Sequence, residues 1–87
     1  MSATLQREHW NGRPTLLGDL FRATKARGNK QLQAAARLWT HQFGWEVRLE
    51  INGDLQRSEV FRSQDDVLAA GETWEAAMVE KGWSSEC

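Results

Sequence analysis

Residues 45–51, Trp-Glu-Val-Arg-Leu-Glu-Ile, alternate apolar and polar without a fault. A side-chain period of two marks a strand with one buried face. Trp45, Val47, Leu49 and Ile51 are therefore predicted to face a core, with Glu46, Arg48 and Glu50 outward. Asn52-Gly53 then turns the chain into a second strand over residues 56–62. Charge argues for its register. A two-residue Asn-Gly loop would set Arg48 opposite Arg57 and Glu46 opposite Glu59. A four-residue loop, Asn52 to Leu55, instead sets Glu50 beside Arg57, Arg48 beside Glu59 and Val47 opposite Val60. Facing opposite charges stabilise by about 0.2–1 kcal/mol and like charges reverse the sign, so the longer loop is expected.

The spacing changes after Phe61. Ser63-Gln64-Asp65-Asp66 opens a helix, with Ser63 as cap, Asp66 at the reciprocal capping-box position and two acids on the positive end of the dipole. Val67, Leu68, Gly71, Trp74, Ala77, Met78 and Lys81 trace its buried side. Gly71 inside a helix costs about 1 kcal/mol relative to alanine, which points to close backbone packing there. Gly82 suits a left-handed C-terminal residue, with Trp83 folding back.

A helix is also expected over 14–27. Pro14 fits a first helical turn, Leu16, Leu17, Leu20, Phe21 and Thr24 follow one apolar face, and Gly28-Asn29 can close the end. Residues 30–43 carry two signals. Leu32, Ala35, Ala36, Trp39 and Phe43 make a helical stripe, whereas Leu38-Trp39-Thr40 has strand-type residues and Phe43-Gly44 directly precedes a strand. A hairpin through Gln42-Phe43-Gly44, pairing 37–41 with 45–49, is the preferred reading. The expected fold is α+β: an N-terminal helix, a three-stranded antiparallel meander and a C-terminal helix packed on the sheet. The alternative is two helices, a hairpin and a helix. All 87 residues form one small domain, with residues 1–12 as an arm pinned by Trp10.

Composition adds exclusions. Hydrophobic residues are 40% and charged residues 26%, ordinary globular usage. No apolar run approaches the roughly 18–20 residues of a membrane span, so no membrane association is expected. The sole cysteine is Cys87, which leaves no internal disulfide and fits a cytoplasmic protein. Net charge is −1, yet residues 1–43 hold seven Lys/Arg against two acids (+5), and residues 44–87 hold four against ten (−6). That asymmetry suits a nucleic-acid face, an oppositely charged protein partner, self-association between the basic and acidic ends, or plain solvation.

The runs Thr40-His41-Gln42-Phe43-Gly44-Trp45-Glu46-Val47-Arg48-Leu49, Gln56-Arg57-Ser58-Glu59-Val60 and Arg62-Ser63-Gln64-Asp65-Asp66-Val67-Leu68, with the ending Trp74 to Trp83, resemble a set of short uncharacterised bacterial proteins. The likeness covers roughly the C-terminal half. It implies a stand-alone bacterial cytosolic protein and a strand near His41, and it transfers no activity or ligand.

Little in the chain points to catalysis. His9 and His41 lie 32 positions apart without a helical His or Glu partner, and the only thiol is terminal, so no metal site is expected. Cys87 lacks an ordered base, no phosphate-binding glycine loop exists, and Asp65-Asp66 are explained by capping. Neither a catalytic residue nor a cofactor is expected. The basic set is more informative. Arg22, Lys25, Arg27, Lys30 and Arg37 fall within sixteen residues unbroken by an acid, and Trp39 and His41 follow. On a strand, Arg37, Trp39 and His41 would share one face with Arg48 nearby, the mixture that phosphate neutralisation and base stacking require. The simpler reading covers Trp39 with the first helix. Carboxylates Glu46, Glu50 and Glu59, expected on the outer sheet face, oppose a phosphate backbone. The expected function is a small non-catalytic binding or regulatory protein acting through a protein partner, with the oligomeric state left open and a homodimer among the options. A nucleic-acid-binding accessory protein using the basic half is the alternative. The candidate contacts are Arg22, Lys25, Arg27, Lys30, Arg37, Trp39, His41 and Arg48.

Overall fold

Three two-residue turns build the sheet. The computed structural model describes residues 12–86; the expected arm with His9 and Trp10, and Cys87, lie outside the described residues apart from Gly12. Strand β1 (Leu16–Arg27) turns through Gly28-Asn29 into β2 (Lys30–His41), which turns through Gln42-Phe43 into β3 (Gly44–Ile51). Asn52-Gly53 leads into β4 (Asp54–Phe61), helix α1 (Gln64–Glu80) follows, and β5 (Ser84–Glu86) closes the chain. The sheet order is β4-β3-β2-β1-β5, antiparallel throughout. The helix crosses one sheet face and returns the chain to the far edge, beside β1.

The expected N-terminal helix is absent, and the sheet has five strands rather than three. Residues 16–27 are extended because two bulges imitate a helical period. Leu16 faces Trp39 and Gly18 faces Leu38, so Leu17 is an extra residue; Asp19 faces Arg37 and Phe21 faces Ala36, so Leu20 is another. Each insertion turns a step of two into a step of three. Leu17, Leu20 and Phe21 all reach the core, at a spacing that alternation would not produce. Beyond Phe21 the alternation is regular. Gly28, with φ of 61°, serves a hairpin turn rather than a helix end. Pro14 precedes the strand: the Thr15 N–H donates to Thr40 Oγ1 at 2.8 Å, and the Thr40 N–H to the Thr15 carbonyl at 2.9 Å.

The β3–β4 register also differs from the expected one. Asn52 and Gly53 have φ of 51° and 87°, the doubly positive geometry of a tight two-residue hairpin, and Ile51 faces Asp54. Gln56 is then bulged, between Glu50↔Leu55 and Leu49↔Arg57. Arg48 consequently faces Ser58 and Glu46 faces Val60. The two like-charge pairs are avoided, by a bulge instead of a longer loop. The same bulge turns Arg57, Glu59 and Phe61 towards the helix side. Phe61 joins the core opposite Trp45, and the Arg57 guanidinium stacks 4.1 Å above the Trp74 ring centroid.

Helix α1 starts as its sequence requires. Ser63 Oγ accepts from the Asp66 N–H at 3.1 Å. At the other end the Trp83 N–H donates to the Met78 carbonyl and the Gly82 N–H to the Val79 carbonyl, a Schellman closure with Gly82 at φ of 100°. Lys25 Nζ reaches across from β1 to the Lys81 carbonyl at 2.7 Å, satisfying another orphan acceptor. Val67, Ala70, Gly71, Trp74 and Met78 are buried, whereas Leu68, Ala77 and Lys81, expected on that side, are exposed. A Cβ on Gly71 would lie 3.3 Å from the Leu20 side chain, which is the close approach that this glycine serves. Beneath the helix the sheet carries Ala23, Ala34 and Ala36, small enough to admit the indoles of Trp45, Trp74 and Trp83. No helix among the described residues is long and apolar enough to cross a membrane.

Candidate functional site

The sheet face turned away from α1 is uncovered by any described element, and the register arranges its residues in rows. Across the end nearest the β2–β3 turn run Val60, Glu46, Trp39 and Leu16. The next row holds Ser58, Arg48, Arg37 and Asp19. The third holds Leu55, Glu50, Ala35, Arg22 and Glu86, from β4 to β5.

Arg37 and Arg48 face each other directly, and neighbouring acids resolve that conflict. Arg48 turns along its own strand to Glu46 Oε1 at 3.0 Å, and Arg37 Nε lies 3.3 Å from Glu50 Oε1. The Arg37 contact is an ion pair without hydrogen-bond alignment, because its buried Nε–H has no acceptor in line. Arg22 pairs with Asp19 at 3.4 Å. All three pairs are partly solvated, so each contributes about 0–1 kcal/mol. Their larger consequence is electrical: three arginines and four acids interleave, and the face carries no excess of positive charge.

Trp39 sits within this lattice. The Arg48 guanidinium lies 4.7 Å above its ring centroid, and its buried Nε1–H has no acceptor among the described residues. The first helix expected to cover Trp39 does not exist, and its indole remains part of the open surface. In its row, Leu16 next to it and Val60 beyond Glu46 are 41% and 42% exposed. At the β2–β3 turn Phe43 is 50% exposed, and its N–H donates to His41 Nδ1 at 3.1 Å, holding the turn closed. Exposed apolar side chains therefore stand among the charges of a mixed lattice.

The structure divides the eight candidate residues. Arg22, Arg37, Trp39, His41 and Arg48 share the open face. Lys25 lies on the other face, bonded to the helix end and 6.0 Å from the Trp83 ring centroid. Arg27 and Lys30 face each other at the distant β1–β2 turn. Glu59, expected outward with Glu46 and Glu50, lies on the helix side and pairs with Arg57 at 3.5 Å. Leu16, Asp19, Val60 and Glu86 are members that sequence reasoning missed. Leu16 and Asp19 fall in the segment expected to be helical, Val60 reaches the face only through the Gln56 bulge, and Glu86 only through β5.

A depression of about 260 Å³ lies at the other end of the face, lined by Arg22, Gln33, Arg37, Glu50 and Glu86 over Ala35. It falls below the roughly 300–1,000 Å³ of small-molecule sites. Among the described residues no group of three His, Cys, Asp or Glu side chains is placed to hold a metal ion. No protein-family model, curated protein or solved structure matches the chain.

Proposed function

We propose that the chain is a small non-catalytic binding protein whose open sheet face docks a protein partner, with Trp39 under Arg48 as the anchor. One observation carries the reading: an aromatic–guanidinium stack lies beside exposed Leu16 and within interleaved charges, with exposed Val60 in the same row beyond Glu46. Tryptophan and arginine dominate protein interfaces when they sit near the centre and are ringed by polar groups that exclude water. The partner it fits presents an apolar insert flanked by charges of both signs.

Nucleic acid fits less well. A phosphate-binding face needs unpaired cations in a continuous tract, whereas Arg22, Arg37 and Arg48 each lie against an acid, and Lys25 is on the opposite face. The test is affinity capture from the native host with and without nuclease, followed by binding of the purified partner. Trp39→Ala should weaken that binding by at least about 30-fold, mainly through faster dissociation, while the variant keeps its circular dichroism spectrum. Capture abolished by nuclease would overturn the proposal. So would binding of DNA with a log–log salt slope of about −4 to −5, the mark of some five phosphate contacts.

A further inference from the structure

Among the described residues, strand β4 is the last strand on its side of the sheet, and its eight residues are exposed except for half-buried Phe61. Edges of this length template pairing with another chain, and natural edges carry charge to restrict what can pair. The other edge, β5, has three residues. On β4 the run Arg57-Ser58-Glu59 is self-complementary in charge about Ser58.

We infer that β4 pairs antiparallel with β4 of a second copy of this chain, with the two Ser58 residues facing each other, to make a continuous ten-stranded sheet. Symmetry restricts the choice. A two-fold axis perpendicular to the sheet keeps each face on its own side, so some residue must face its own counterpart. Centring on Arg57 sets arginine against arginine, and centring on Glu59 sets glutamate against glutamate. Centring on Ser58 places Arg57 opposite Glu59 of the second copy, and Glu59 opposite its Arg57. Both pairs fall on the helix side, where each chain's own Arg57–Glu59 contact is only 3.5 Å and half-exposed. One register is thus attractive and its two neighbours repulsive, which is how charge selects a register as well as a partner. The Gln56 bulge ends the regular edge after Arg57, so the paired segment is short and the dimer depends on concentration. Pairing also joins the two open faces into one surface, with Val60 of each copy near the seam.

Sedimentation equilibrium from about 1 μM to 1 mM reads the association directly. The parent should pass from monomer to dimer across that range, and less readily at high salt. Arg57→Glu and Glu59→Arg should each weaken self-association at least tenfold, and the double exchange Arg57→Glu/Glu59→Arg should restore it. An equimolar mixture of the two single variants should form a heterodimer, because one chain then presents two acids and the other two arginines. Arg57 also stacks on Trp74, so its variant is checked by thermal melting; Glu59→Arg leaves that stack in place and keeps the test decisive. A parent that stays monomeric to 1 mM overturns the inference. A folded Glu59→Arg variant that dimerises like the parent overturns it as well, as does a mixture that fails to associate.

Discussion

A single added methyl group at Gly44 should destabilise this protein about as much as a core truncation. Gly44 opens β3 at φ of 143° and is buried against the end of β4. A Cβ placed there would lie 2.2 Å from the Phe61 carbonyl oxygen and 3.0 Å from Arg62 Cα. Real Cβ contacts essentially never fall below 3.0 Å, so the Phe61 carbonyl would have to retreat by about 0.8 Å. Both near atoms are backbone, and that backbone carries Phe61 into the core and leads to the cap at Ser63. Positive φ costs an L-residue about 1–2 kcal/mol, and overpacking adds about 1–3 kcal/mol. Gly44→Ala should therefore cost about 2–5 kcal/mol, against about 4–13 kcal/mol for a domain of 87 residues. Gly28→Ala separates the two contributions, because Gly28 has φ of 61° and, beyond its chain neighbours, no atom of the described residues within 4 Å of a built Cβ. It should cost only the backbone strain. With about 4–8 °C lost per kcal/mol in a domain of this size, thermal melts followed by circular dichroism resolve the pair. Equal melting temperatures for Gly44→Ala and Gly28→Ala would refute the steric argument.

Two further outcomes test the packing. Trp74→Ala should cost about 3–5 kcal/mol in urea titration, because Trp74 is 5% exposed in the core beneath Arg57; a variant that unfolds with the parent would move Trp74 from core to surface. Deleting Gln56 removes the extra residue and leaves the register unchanged, with Arg48 facing Ser58 and Phe61 opposite Trp45, so it should cost less than about 1 kcal/mol; a loss above about 2 kcal/mol would show that the bend of the bulge, and not the register alone, seats β4.

What the sequence discloses depends on whether one residue step equals one register step. Over 45–51 it does, and the strand and its two faces are legible from alternation alone. Over 63–83 the Ser63 cap, Gly71, Gly82 and Trp83 each have a local chemical reason, and the helix follows from them. Over 16–27 the relation fails twice. Leu17 and Leu20 are bulged, and a strand with an extra residue at every third position writes the same apolar pattern as a helix. Proline before such a segment and glycine after it then read as helix punctuation, although both suit a strand and its turn equally well. Only pairing with β2 distinguishes the two, and pairing is a tertiary fact.

The open face was lost through the same failure. Arg37, Trp39, His41, Glu46, Arg48 and Glu50 lie on strands without bulges, and their shared face is visible in the spacing. Leu16, Asp19, Val60 and Glu86 arrive from segments whose register is set by bulges or by the returning β5. Those four change the chemistry of the face: Asp19 neutralises Arg22, Glu86 borders it, Leu16 extends the apolar surface of Trp39, and Val60 adds an apolar side chain beyond Glu46. A basic run in sequence thereby becomes a balanced lattice in space. At Gln56 the bulge has a further consequence, because it moves Arg57 and Glu59 away from the open face and onto the helix side of the free edge. The open face keeps an arginine stacked on tryptophan with acids around it, and the edge acquires a charge pattern complementary to its own copy. Surfaces for unlike and like partners thus arise from a single inserted residue.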